Sequence, residues 1–221
     1  MIEFPVNEKT APGYLALPKS GKGPGVLVLH AWWGLNDFFK QVCERLAQAG
    51  FVAFAPDLYH GVVARTIDEA KQVQSTFDDQ QAEEEIKSAV AFLRGHPSVQ
   101  GSGIGTIGCS MGAAHALLLS TQLPDEIAAV VSFYGAWSEP DFGKARAAYL
   151  VHFAEHDEWE PEEEMEKLGP VLRAAGKEAT VYRYPGTIHW FVEEDRPDAY
   201  NPEAARVAWE RTLAFLHQHL S

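Results

Sequence analysis

The chain has only two cysteines, Cys43 and Cys109, among its 221 residues. That number excludes a disulfide framework and is typical of proteins in a reducing compartment. No apolar run approaches the ~20 residues that a membrane span needs. The N-terminal sequence MIEFPVNEKT has no basic segment followed by an apolar one, so it does not match a secretory signal peptide. Together these absences predict a cytoplasmic location.

The sequence is also poor in positive charge. Lys and Arg total 18 against 31 Asp and Glu, which gives a formal net charge of −13. Proteins that bind nucleic acid or anionic membranes usually carry clustered Lys and Arg side chains, and this chain has no such cluster in its sequence. We therefore expect neither nucleic acid nor a membrane as a partner, and we expect a monomer or a small homo-oligomer.

Short apolar runs alternate with amphipathic segments along the chain. We predict buried strands at 25–30, 52–55, 103–108, 128–133, 149–154 and 179–184. Helical spacing of apolar residues predicts helices over 35–49, around 82–93, after residue 110, over 161–175 and from Asn201 to the end.

This alternation predicts an α/β fold, a doubly wound and mostly parallel sheet with helices on both faces. The segments IEFPV and GYLALP have no helix between them, so we expect antiparallel strands at one edge of the sheet. No linker rich in Pro, Gly and Ser divides the chain, and we predict a single domain over residues 1–221.

The segment GIGTIGCSMGAAHA, residues 103–116, joins a predicted strand to a predicted helix. Its centre, GCSMG at 108–112, has the G-x-S-x-G pattern of a nucleophile elbow, in which a sharp turn lifts the central side chain above the sheet. The positions two before and two after the nucleophile must be small, and both are glycine. We therefore predict Ser110 as the nucleophile and Cys109 as a packed neighbour.

A serine hydroxyl needs a base, and the base needs a group that orients it. In α/β chains with this elbow, the acid and then the histidine follow the serine in sequence. Asp157 follows the predicted strand at 149–154, and His189 lies in the loop after the strand at 179–184. Loops at the carboxyl ends of parallel strands open into one crevice, so we expect Ser110, Asp157 and His189 to meet there.

Several segments together resemble the dienelactone hydrolase family of α/β-hydrolases. They are HAWWGLN at 30–36, PDLYHG at 56–61, GCSMGAA at 108–114, EHDEWEP at 155–161 and GTIHWF at 186–191. The resemblance spans essentially the whole chain. It implies an α/β-hydrolase fold without a large cap domain, and an enzyme that needs no cofactor.

The resemblance also implies further site residues. The oxyanion hole of the family uses two backbone N–H groups, which here belong to Trp32 and Met111. Trp33, Trp159 and Trp190 flank the matching segments. Lining a substrate pocket and packing in the core are equally good interpretations of these three indoles.

The sequence departs from the namesake enzymes of the family at three places. They carry a cysteine nucleophile where this chain has Ser110, and a glutamate where it has Ala31. The two changes agree, because a serine with a histidine base does not need that glutamate. The namesakes bind an anionic lactone with an arginine shortly after the histidine, where this chain has WFVEED at 190–195. This acidic rim argues against an anionic dienelactone as substrate.

Two other motifs are typical of cofactor or metal sites, but neither has the context that it requires. The glycines within 103–108 match G-x-G-x-x-G, yet they lie inside a predicted strand rather than after one. Residues 152–156 match H-x-x-E-H, which requires a helix. In a strand the two histidines would be ~13 Å apart. We therefore expect neither a cofactor nor a metal.

The sequence thus predicts a serine hydrolase that cleaves small carboxylic esters or lactones through an acyl-enzyme intermediate. Two alternatives use the same fold. One is a ligand-binding protein without catalytic activity, and the other is an acyltransferase or peptidase with the same three residues. A degenerate binding protein would often lack one of the three, whereas this chain has them all.

Overall fold

The computed structural model describes residues 1–220 and is built around one eight-stranded sheet. The strands are β1 (Ile2–Val6), β2 (Lys9–Ala16), β3 (Gly23–Leu29), β4 (Val52–Pro56), β5 (Val99–Cys109), β6 (Ile127–Phe133), β7 (Ala148–Ala154) and β8 (Ala179–Tyr184). Their order in the sheet is β1-β2-β4-β3-β5-β6-β7-β8. β2 pairs antiparallel with β1 and β4, and the remaining pairs are parallel. The predicted antiparallel edge of a mostly parallel sheet is confirmed.

Helices connect most of the strands. They are α1 (Asp37–Gln48), α2 (Ile67–Gln74), α3 (Asp79–Gly95), α4 (Met111–Gln122), α5 (Glu162–Ala174) and α6 (Pro202–Leu220). The sequence predicted all of them except α2, in which only Ala70 is buried. In the described part of the chain, no helix is both long and apolar enough to cross a bilayer.

The sheet separates two hydrophobic cores. Alternate side chains of β3 point to opposite faces: Val26 and Val28 pack in one core, and Leu27 and Leu29 pack in the other. Helices α1 and α6 cover the first face, and α3, α4 and α5 cover the second. Strands buried on both faces explain why the sequence shows continuous apolar runs instead of strict alternation.

The fold is an α/β sheet with helices on both faces and no cap domain, as the sequence predicted. Since every strand belongs to the same sheet, we propose that the chain forms one domain. The predicted range, residues 1–221, includes Ser221, which lies outside the described residues.

Candidate active site

Ser110 lies in a sharp turn between β5 and α4. Its backbone has φ 51° and ψ −116°, a conformation that side-chain-bearing residues rarely adopt. Such a residue costs of order 1–3 kcal/mol and persists only where its surroundings hold it. One restraint is the Ser110 N–H, which donates to the carbonyl of Phe133 at 2.9 Å. The strained turn predicted for an elbow is therefore present at this position.

Three glycines let the backbone pack tightly around this turn. A Cβ added at Gly108 would lie 2.2 Å from the carbonyl oxygen of Gly112, and one at Gly112 would lie 2.2 Å from that of Leu29. A Cβ at Gly135 would lie 2.7 Å from the oxygen of Ser110. The sequence indicated the first two glycines through the elbow pattern. Gly135 was missed because it follows a different strand, β6, and belongs to no motif that we recognised.

The structure brings Ser110, His189 and Asp157 together in that order. His189 Nε2 lies 3.0 Å from Ser110 Oγ, and His189 Nδ1 lies 2.7 Å and 2.9 Å from the two Asp157 oxygens. The side chains of His189 and Asp157 are only 3% and 0% exposed. Because the Asp157 carboxylate accepts a hydrogen bond from Nδ1, this arrangement favours the tautomer that carries its proton on Nδ1 and whose Nε2 lone pair faces the serine hydroxyl.

Asp157 is held by its own loop. Its Oδ1 accepts the backbone N–H groups of Trp159 and Glu160, each at 2.9 Å. Together with the imidazole, the carboxylate thus has three hydrogen-bond donors around it. The loop after β7 therefore presents a buried carboxylate in a fixed orientation.

The two predicted oxyanion donors lie at the ends of segments that meet at the elbow. Met111 is the first residue of α4, and Trp32 lies in the loop after β3. Among residues 1–220, neither backbone N–H donates to another backbone group outside the regular elements. The N-terminus of α4 also carries the positive end of the helix dipole, which favours a developing negative charge.

His30 fixes the loop that carries Trp32. Its Nδ1 lies 2.8 Å from the carbonyl oxygen of Ala31, and its Nε2 lies 3.2 Å from the backbone nitrogen of Leu58. Burial lowers the pKa of His30, so the ring is neutral, with Nδ1–H donating and Nε2 accepting. The sequence contained this residue in a matching segment but gave no sign of its role.

Four indole rings form a tryptophan cluster (Trp32, Trp33, Trp159 and Trp190) beside His189. The ring centroids of Trp32 and Trp159 are 5.0 Å apart, and those of Trp159 and Trp190 are 5.3 Å apart. Trp190 packs edge-to-face on His189 at 5.0 Å. Trp159 is 40% exposed, so it lies at the open side of the cluster.

Trp33 is the buried member of the cluster. Trp33 is only 1% exposed, and the guanidinium of Arg196 lies 3.4 Å from the centroid of its ring. Of the two interpretations of the three indoles, core packing fits Trp33. Trp190 contacts both His189 and the first core, and Trp159 lies at the exposed side of the cluster, so a pocket role for these two stays a prediction.

The structure corrects the interpretation of the acidic rim after His189. Glu194 and Asp195 are exposed, but Glu193 is 0% exposed and accepts the Tyr134 hydroxyl at 2.8 Å. Burial raises the pKa of Glu193 to about 8, so it is mostly neutral at pH 7. Cys109 lies beside Tyr134 and Glu193. It is buried, and burial raises the pKa of its thiol well above the usual value.

Known proteins resemble this chain over nearly its full length. The sequence profile of the dienelactone hydrolase family matches residues 11–220. "Protein usf" of Aquifex pyrophilus is 34% identical over 229 residues, which cover 100% of this chain and 99% of that protein. A putative carboxymethylenebutenolidase of Aquifex aeolicus is 31% identical over 228 residues, which cover 100% and 98%.

A solved structure agrees with these sequence matches. The crystal structure of a putative dienelactone hydrolase from Klebsiella pneumoniae superposes with a TM-score of 0.85 at 25% identity. The superposition covers 99% of this chain and 98% of that one. The elbow, the α/β sheet and the full-length match agree. This chain therefore belongs to the dienelactone hydrolase family and is a carboxylic ester hydrolase.

Proposed function

We propose that this protein is a serine hydrolase that cleaves small uncharged carboxylic esters or lactones through an acyl-enzyme. Ser110 is the nucleophile, His189 the general base, and Asp157 the group that orients the imidazole. One observation carries the proposal: His189 Nε2 lies 3.0 Å from Ser110 Oγ while Nδ1 lies 2.7 Å from Asp157. The strained backbone at Ser110 adds support, since such strain is concentrated at functional sites.

The reaction follows from this arrangement. His189 takes the hydroxyl proton as Ser110 Oγ attacks the ester carbonyl carbon, and the carbonyl oxygen becomes an oxyanion. The backbone N–H groups of Trp32 and Met111 stabilise that oxygen. Each such donor is worth about 3 kcal/mol in the transition state. His189 then protonates the leaving alcohol, and water, activated by the same ring, hydrolyses the acyl-enzyme.

Cys109 is unsuited to the role of nucleophile. It is 4% exposed, and burial raises the pKa of its thiol, so little of the reactive thiolate is present at neutral pH. Ser110, by contrast, occupies the centre of the elbow and contacts the imidazole. We therefore propose that Ser110 replaces the cysteine of the namesake enzymes.

The surroundings of the site favour uncharged substrates. Trp159 and Ile188 expose apolar surface beside His189, at 40% and 46% of their areas. Glu194 and Asp195 are exposed on the following loop and disfavour anions. The guanidinium of Arg196 lies over a tryptophan ring, so it is engaged away from a substrate carboxylate. The relative from A. aeolicus is named for a lactone, and a lactone is a cyclic ester that opens by the same steps.

The proposal is tested by steady-state hydrolysis with the wild type, Ser110→Ala and Cys109→Ala. The substrates are p-nitrophenyl butyrate and mono-p-nitrophenyl succinate, which share a leaving group and have acyl chains of similar length but differ in charge. We expect Ser110→Ala to lose at least about 10³-fold in kcat, because the attacking atom is gone. Cys109→Ala should stay within several-fold of the wild type, and the wild type should prefer the butyrate.

Each contrary result has a distinct meaning. Full activity in Ser110→Ala, or loss of activity only in Cys109→Ala, would overturn the assignment of the nucleophile. An inactive wild type that still binds the ester would favour the binding-protein alternative. Faster hydrolysis of the succinate than of the butyrate would refute the proposed substrate class and leave the nucleophile in place. Adding an alcohol acceptor and measuring the transfer product separates hydrolysis from acyl transfer.

A further inference from the structure

Directly behind His189 lies a buried polar pair that the reaction steps do not use. Tyr134 and Glu193 are both 0% exposed, and the Tyr134 hydroxyl donates to Glu193 Oε1 at 2.8 Å. Tyr134 has φ 37°, a strained value for an aromatic residue. Strain of this kind is retained only where neighbouring contacts hold the residue in place.

The pair connects the end of β6 to the loop that carries His189. The Tyr134 ring centroid lies 4.8 Å from the His189 ring, and the Tyr134 N–H donates to the carbonyl of His152 at 2.8 Å. On the other side, the Glu193 N–H donates to the carbonyl of Trp190 at 2.8 Å. The side-chain hydrogen bond between Tyr134 and Glu193 therefore joins two backbone segments, and the Tyr134 ring packs against the imidazole.

The pair offers a negative charge on Glu193 a single side-chain hydrogen bond, from Tyr134. Glu193 Oε2 is buried without a hydrogen-bond partner among the described residues. The titratable and charged groups that face Glu193 are Tyr134, Cys109, Asp195 and Arg196. Burial, with a contribution from Asp195, raises the pKa of Glu193 to about 8, against weaker opposing effects of Tyr134 and Arg196. An ionised Glu193 would thus be a buried charge with one unsatisfied oxygen, which is unfavourable.

Building on the proposed function, we propose that Tyr134 and Glu193 are positioning residues for His189, and that they hold the imidazole only while Glu193 is a neutral acid. Loss of the Glu193 proton then makes the Trp190–Arg196 turn rearrange to hydrate the carboxylate. The Tyr134 ring loses its anchor, and turnover falls although Ser110, His189 and Asp157 are chemically unchanged.

The test is the pH profile of kcat with p-nitrophenyl butyrate, corrected for uncatalysed hydrolysis. We expect the wild type to lose activity above about pH 8 with one ionisation. Glu193→Gln keeps an oxygen acceptor for Tyr134 and a similar shape but cannot ionise, so its alkaline loss should be absent or shifted upward. Glu194→Gln removes an acidic side chain one residue away on the exposed surface, and it should keep the wild-type profile.

Tyr134→Phe provides a second test, which stays informative even if Glu193→Gln does not fold. The phenyl ring can still pack on His189, while the hydrogen bond that favours ionised Glu193 is lost. We expect kcat to fall several-fold with little change in KM, and the alkaline midpoint to move to higher pH. A purely structural role would not move that midpoint.

The outcomes separate this inference from the proposed function. If Glu193→Gln or Tyr134→Phe folds and retains the wild-type alkaline midpoint, the positioning role of the pair is refuted while an inactive Ser110→Ala keeps the proposed function intact. If Ser110→Ala remains active, the proposed function fails irrespective of the pH profiles. If Glu194→Gln also lacks the fall in kcat at alkaline pH, that fall arises from general surface charge, and the inference is likewise refuted.

Discussion

Gly112 shows how a residue without a side chain determines the geometry of the site. It is the second residue of α4, where alanine would ordinarily favour the helix. A Cβ there would lie 2.2 Å from the oxygen of Leu29 and 2.7 Å from that of His30. Both carbonyls precede Trp32, the proposed oxyanion donor. Because backbone contacts backbone here, the elbow and the oxyanion loop cannot separate without loss of their relative position.

We expect Gly112→Ala to impair catalysis more than stability. The added methyl must push the segment after β3 away from α4, which displaces the N–H of Trp32. Displacing one donor should lower kcat/KM for p-nitrophenyl butyrate by about 10²–10³-fold. Overpacking at one position should lower the free energy of unfolding by about 1–3 kcal/mol. Steady-state kinetics and urea unfolding measure the two effects.

Gly95→Ala is the matched control for this substitution. Gly95 ends α3, and a Cβ there has nothing within 4 Å. The control should leave kinetics unchanged and raise the free energy of unfolding by up to about 1 kcal/mol, because alanine restricts the unfolded chain. Wild-type kinetics in Gly112→Ala would show that the oxyanion loop does not depend on the close approach of these backbones.

Individual site residues also differ in whether the sequence alone could indicate them. The positions of Ser110, Asp157 and His189 were predictable because each follows a strand recognisable from its apolar run. Glu193 was not distinguishable from the acidic residues beside it, since its burial depends on Tyr134, which is 59 residues away in the chain. A local pattern contains no information about a partner at that separation.

At the scale of elements, the start of α6 combines a helix cap with a link to the site. Asn201 Oδ1 accepts the Ala204 N–H at 3.0 Å, and the Asn201 N–H donates to the carbonyl of Phe191 at 2.9 Å. Pro202 is the first residue of α6, a position where proline is favoured, and Asn201 immediately before it is the cap. The start of α6 is thus joined to the loop that follows His189.

We expect Asn201→Ala to lower the free energy of unfolding by about 1 kcal/mol, because the cap acceptor is lost. Asn201→Asp keeps an oxygen acceptor and should stay within about 0.5 kcal/mol of the wild type. The main-chain bond to Phe191 is present in both variants, so their difference isolates the cap. Urea unfolding measures this difference in the free energy of unfolding. If the two variants lose equal stability, the Asn201 side chain stabilises the protein by something other than capping.

Helix α2 shows where element prediction from sequence fails. Its eight residues bury only Ala70, so no apolar stripe distinguishes it from a loop. A signal was nevertheless present, because Thr66 and Glu69 form a reciprocal capping box. By contrast, the strands of the central sheet were found because burial on both faces requires continuous apolar runs.

At the scale of the molecule, the parallel sheet assembles the site from four successive strands. Ser110 follows β5, Tyr134 follows β6, Asp157 follows β7 and His189 follows β8, and these strands are neighbours in that order. Their carboxyl ends lie at one edge because the strands are parallel. Ser110 and His189 are 79 residues apart in sequence, so their contact exists only when this half of the sheet is complete.

Buried ionisable groups make the stability of the whole molecule depend on pH in two opposite directions. Burial lowers the pKa of His152 from 6.5 to about 3, so its contribution to stability is lost as pH falls through that range. The pKa values of His30 and His115 are also lowered by burial, which acts in the same direction. Burial raises the pKa of Glu193 from 4.5 to about 8, so its contribution is lost as pH rises from 4.5 to 8.

We therefore expect the free energy of unfolding to pass through a maximum where the two opposite slopes balance, with the acid limb assigned to the histidines and the alkaline limb to Glu193. Glu193→Gln cannot ionise, so relative to the wild type it should gain about 2–4 kcal/mol between pH 5 and pH 8.5. His152→Gln should be less stable than the wild type at every pH, because the His152 ring is hydrogen-bonded to Tyr184 and Thr212. Its free energy of unfolding should, however, depend less on pH below pH 6.5. Urea unfolding from pH 4 to 9 measures these slopes. Curves parallel to the wild type in both variants would mean that other groups take up and release the protons on unfolding.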